Sequence, residues 1–150
     1  MLDVDWNTIV YHLVLMGASY LLALPIGWNR ERNSRSAGLR TFPLVAVATC
    51  GFILVGIDVL ADQSAQARVM EGVITGIGFI GGGAILKNRT TVSGTATAAS
   101  LWATCAIGVA VAWQRFEIAL VLSLVTFLTL QLMPEIKPLV SSKTDSETDS

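Results

Sequence analysis

Glu71–Leu86 reads EGVITGIGFIGGGAIL, an apolar run that carries six glycines and opens on a carboxylate. In water this would make a poor helix, because each interior glycine costs about 1 kcal/mol relative to alanine. In lipid the balance changes. Helices there have no hydrophobic drive to associate, and small residues that let backbones approach become the main packing device. At about 100° per residue, Gly72, Gly76 and Gly83 fall within one arc, and Glu71, Gly78 and Gly82 share a second. Gly72/Gly76 and Gly78/Gly82 are both GxxxG pairs, the spacing of close helix contacts. Two grooved faces predict neighbours on two sides, so this segment is expected to be the central helix of a membrane bundle. Packing accounts for every glycine but not for Glu71. An acid near the outer end of a span either reaches the headgroups or is held inside the bundle, where acids mark paired sites or pathways.

The rest of the chain fits a membrane reading. Apolar residues make up 53% and charged residues 14%, against about a quarter charged in an ordinary globular domain. A net charge of −1 gives nucleic acid nothing to bind. A span takes about 20 apolar helical residues, and such segments occur near 8–27, 41–61, 69–86, 95–113 and 116–133. The fold class is therefore all-α, a polytopic bundle of about five transmembrane helices joined by short connectors. Residues 134–150 form a polar tail that cannot bury enough apolar surface to fold alone, and it is expected to be disordered.

Charge sets the orientation. Arg30, Arg32, Arg35, Arg40, Lys87, Arg89, Lys137 and Lys143 fall on one side of the alternating connectors, and only Arg68 and Arg115 on the other. The positive-inside rule then puts the N-terminus outside and the C-terminus in the cytoplasm. Trp6, Trp28 and Trp113 fall at interfaces, where aromatic belts belong. Asp3 and Asp5 replace the basic start of a cleaved signal peptide. A cytoplasmic, inner or plasma membrane is the expected location.

Several motifs carry no chemistry here. Gly76–Gly81 matches GxGxxG, but the dinucleotide fingerprint needs a preceding strand and an acid about 20 residues on. Asn88-Arg89-Thr90 fits a glycosylation sequon on the cytoplasmic side. There is no Walker sequence and no nucleophile–base–acid set, so no catalytic residue is assigned and the chain is not expected to be an enzyme. Cys50 and Cys105 lie mid-span as small buried hydrophobes, and they form no metal-ligand spacing with the lone His12.

Three sets of residues are candidates for function. Asp58, Asp62 and Glu71 gather about the second connector with Arg68 nearby. Mg²⁺ needs only one or two carboxylates because it keeps several waters, although an acidic outer loop neutralised by Arg68 explains the same residues. Thr97, Ser100, Thr104 and Gly108 form a stripe on the fourth span, either packing against a glycine face or lining a narrow polar path. Arg40 could dock into the inner end of the bundle, with Gly38 supplying the turn before it.

The order of motifs resembles one known family. A first span ends in GWNRER, and AGLRT leads into the second. TGIGFIGGGAILK follows, then VSGTATAASLW with AIG shortly after. From about Gly27 to Gly108 this is similar to the membrane domain of the MgtC/SapB family. The resemblance implies a bacterial inner-membrane protein linked to growth in low magnesium and, in pathogens, to survival inside macrophages. It implies action on another membrane complex, in some members the F-type ATP synthase, rather than catalysis or Mg²⁺ carriage. A cation transporter or channel is the alternative. Gly38, Arg40, Gly76, Gly78, Gly81 and Thr97 match the family pattern. The chain departs from it at Ala96, where relatives often carry a polar residue, and at Gly81-Gly82-Gly83, where GAG is usual. Many relatives append a cytoplasmic ACT-like domain, which the short stretch after Met133 is not expected to contain. The lipid bilayer is the first partner, with a membrane protein or a homo-oligomer beyond it. No cofactor is required, with Mg²⁺ as the one candidate ion.

Overall fold

The computed structural model describes residues 5–33, 37–87 and 92–148, with side chains as far as Leu132. It is an all-α bundle of five helices: α1 (Trp6–Asn33), α2 (Thr41–Val59), α3 (Gln63–Gly83), α4 (Thr95–Ala112) and α5 (Phe116–Thr148). Between α3 and α4, β1 (Leu86–Lys87) pairs antiparallel with β2 (Val92–Ser93), with Leu86 opposite Ser93. The sequon at 88–90 falls outside the described residues, as do Asp3, Arg35 and the side chains of Lys137 and Lys143.

Helices α1, α2 and α4 are long and apolar enough to cross a membrane, and the apolar part of α5, Phe116–Leu132, is shorter. Helix α3 does not join them. Its glycines and the polar first turns from Gln63 dilute its hydropathy. The same turns explain why α3 begins ahead of residue 69. Asp62 N-caps it, accepting from the Ser64 amide at 3.2 Å and from the Ser64 hydroxyl. At the other end of the chain, the α5 backbone is helical to Thr148.

The Asp62 cap makes a testable pH dependence. The hydrogen bonds from the Ser64 hydroxyl and amide hold its carboxyl below the usual carboxylate range. A group whose folded pKa is lowered contributes stability that is present above its unfolded value, about 3.9, and lost as pH falls through the folded one. The first turn of α3 should therefore loosen only below about pH 4. Asp62→Ala should abolish that step and leave the turn frayed at every pH. The Ser64 amide NMR shift followed from pH 6 to 2, roughly across the carboxylate range, measures both.

Helix α4 occupies the centre of the bundle, packed against α1, α2, α3 and α5, whereas α3 packs mainly on α2 and α4. This corrects the expectation of a central glycine helix. Spacing of glycines shows where a helix can be approached, not whether a neighbour is there. The tightest approach at a glycine within the helices is at Gly108 of α4, where an added Cβ would meet the Ala46 carbonyl oxygen and lie 2.9 Å from Thr49 Cβ. Ile107, Val111, Leu101, Phe42 and Ile26 complete the core around it. Pro25 in α1 has no N–H for the preceding turn. One residue beyond the carbonyl this frees, Ser123 of α5 donates to the Leu22 carbonyl at 2.6 Å and ties α1 to α5. Such side-chain bonds are how membrane helices tolerate proline.

Candidate functional site

The three candidate acids do not converge. Asp58 near the end of α2 pairs with His12 near the start of α1, Nε2 to Oδ2 at 3.1 Å. Asp62 is occupied as the α3 cap. Glu71 is exposed on α3. Among the described residues no group of three or more His, Cys, Asp or Glu side chains could hold a metal ion. A carboxylate triad for Mg²⁺ is thus not assembled by this geometry.

The glycine block is largely uncovered. Gly81 is buried against Ala98 of α4, where an added Cβ would meet ordinary contacts from 3.6 Å. At Gly72, Gly76, Gly78, Gly82 and Gly83 an added Cβ would meet nothing within 4 Å. Gly72 and Gly76 instead line an apolar groove of about 410 Å³ between α2 and α3, together with Val45, Phe52, Val73 and Ile80. Gly78 and Gly82 share the outward face with Glu71, and all three are exposed.

The hydroxyl stripe on α4 does not pack on these glycines. Ser100 donates to the Ala96 carbonyl at 2.5 Å and Thr104 to the Ser100 carbonyl at 2.8 Å, both within their own helix. Gly108 packs on α2. Thr97, fully buried, accepts from Nη2 of Arg30 at 3.0 Å. That bond joins the basic end of α1 to the first turn of α4.

Arg30 takes the role expected of Arg40, which is exposed at the start of α2. The Arg30 Nε is buried and has no hydrogen-bond partner among the described residues. A buried donor left without a partner is unfavourable. Sequence reasoning passed over it, although the signal was there. Leu15, Ser19, Ala23 and Ile26 form the buried stripe of α1, and Arg30 is the next position along that stripe. Beside it, Asn29 donates to Gln131 at 2.8 Å and Asn33 donates to Asn29 at 3.3 Å. A polar cavity of about 450 Å³ opens there between α1 and α5.

Gly38 does supply a turn. Its carbonyl accepts from Thr41 and Phe42, opening α2. The Glu31 carboxylate folds over it to accept from the Leu39 amide at 3.0 Å. A side chain at position 38 would collide with that carboxylate.

The chain has relatives among known proteins. The chain is 37% identical to Protein SrpB of Synechococcus elongatus over 139 residues, which cover 84% of this chain and 75% of that protein. Protein MgtC of Brucella abortus is 38% identical over 104 residues, covering 69% of this chain and 43% of that one. YhiD of Escherichia coli K12 is 33% identical over 118 residues, covering 74% of this chain and 55% of that one. The chain thus spans about half the length of these last two relatives. No solved structure matches. The profile of the MgtC family matches residues 16–139, most of the chain, and with these relatives it shows that the chain is a membrane protein belonging to the MgtC family.

Proposed function

We propose that the protein is a non-enzymatic regulator of the bacterial inner membrane that serves adaptation to low magnesium by docking another membrane complex. The F-type ATP synthase is the expected complex. The observation that supports this best is the contrast within the bundle. Hydroxyls at Ser100 and Thr104 are occupied by their own helix, while the glycine faces of α3 stay open. A transporter needs polar groups free to exchange partners with a moving ion, whereas a docking protein needs a helix that neighbours can approach closely. The charge asymmetry supports an outside N-terminus and a cytoplasmic C-terminus.

Purified protein in proteoliposomes should take up Mg²⁺ no faster than empty vesicles, and Glu71→Gln should change nothing. Uptake by the wild type that the substitution abolishes would replace this reading with a transporter whose entrance acid is Glu71. In native membranes the regulator should co-purify with its target complex.

A further inference from the structure

Glu71 is an exposed carboxylate on α3, whose main contacts are with α2 and α4. Val69 packs beside Gly56, whose added Cβ would lie 3.5 Å from a Val69 methyl. Helix α2 runs on from Gly56 to Val59, and Glu71 lies deeper than Val69 on the antiparallel neighbour. At 1.5 Å per residue, Glu71 sits roughly 7 Å inside the outer end of α2. It is exposed and makes no ion pair or hydrogen bond among the described residues; the same holds for Arg68, one turn outward. Glu71, Gly78 and Gly82 recur along one face, with Phe79, 85% exposed, standing beside them. An acid set at this depth beside a spanning helix pairs rather than faces hydrocarbon.

We propose that this face of α3 is the interface of a two-fold dimer with a second copy of the chain. This rests on the reading of α3 as an interaction helix and names one occupant for it. The face is self-complementary. In a two-fold contact, residue i meets j and j meets i, so Glu71 of each copy faces Arg68 of the other and two reciprocal pairs form at once. Gly78 and Gly82 form the GxxxG crossing below them, where the backbones approach, and Phe79 fills the space beside the crossing.

The test is subunit counting in lipid vesicles at decreasing protein-to-lipid ratio. Wild type is expected to be dimeric. Glu71→Arg and Arg68→Glu, each alone, bring like charges together and should weaken the dimer at least tenfold. Mixing the two single variants should restore it as a mixed pair, because every cross-interface contact is then between opposite charges. An ion pair within one chain cannot produce that rescue. Gly78→Cys, in a Cys50→Ala/Cys105→Ala background, adds a readout that does not depend on affinity, and it should cross-link between copies with native charges but not with Glu71→Arg. A monomeric wild type, or association indifferent to both charge reversals, overturns the dimer. A monomer that still co-purifies with the target complex overturns the dimer alone and leaves the regulatory reading intact.

Discussion

Gly108→Leu is expected to prevent assembly of the bundle. Even a Cβ at this position meets the backbone carbonyl of Ala46, and the next atoms are Thr49 Cβ at 2.9 Å and the Cys50 amide nitrogen at 3.1 Å. Backbone of a neighbouring helix cannot turn aside as a side-chain tip can, so α2 and α4 must separate. Overpacking a core typically costs 1–3 kcal/mol, and a contact against main chain belongs at or above the top of that range, about 3 kcal/mol. Net stabilities are roughly 5–15 kcal/mol, and this contact lies where the central helix meets its neighbour. Denaturant titration in detergent, followed by helical content and gel filtration, should show early loss of the compact form. The same change at Gly78 is the informative control. With nothing within 4 Å of its Cβ, Gly78→Leu should leave the folding of the single chain unchanged and affect only association.

A second large effect is expected at Gly94. This residue caps α4 with φ of +85°, and α4 has no side-chain cap there. A β-branched side chain in the left-handed region is a genuine outlier, at roughly 1–2 kcal/mol for the backbone alone. Space forbids it as well, since an added Cβ would meet the Ala84 carbonyl oxygen and lie 3.3 Å from Ile85 Cα. Gly94→Val should therefore cost about 3 kcal/mol, at the high end for a single substitution. It should also displace Thr97 from Arg30, because that bond depends on where the first turn of α4 begins. Gly94→Ala should lie between wild type and valine in the same titration, which separates the backbone effect from the added bulk.

How far the sequence discloses this molecule depends on the kind of question asked. Helix count and the starts at Thr41 and Thr95 follow from hydropathy and breakers, which are local. The start of α3 was also legible, because Asp62 followed by Ser64 is a cap signal, but hydropathy pulled the boundary inward. Which helix is central was not legible. Gly78 and Gly108 look alike in a sequence, and only the neighbour's backbone distinguishes an open glycine from a filled one. The acids misled for a related reason. Asp58, Asp62 and Glu71 are close along the chain, yet one faces α1, one turns back on its own helix and one points away from the bundle. Arg30 was missed because basic residues at the inner ends of spans are read first as topology signals, which hides the one that turns inward to Thr97.

The central position of α4 also bears on how the protein is made. Chains emerge from the ribosome N-terminus first, at about 5–20 residues per second, so α1, α2 and α3 leave before the helix on which they pack. The α1–α2 contact can form during synthesis, but Gly81 has no Ala98, Arg30 has no Thr97 and Ala46 has no Gly108 until α4 arrives. For a time on the order of seconds, the nascent protein is an unsealed group of helices in which half-buried Arg30 has not yet met Thr97. A translocon partner or insertase that shelters the pair α1–α2 during that wait would determine the yield of the bundle, and a translational pause before Thr95 would lower it.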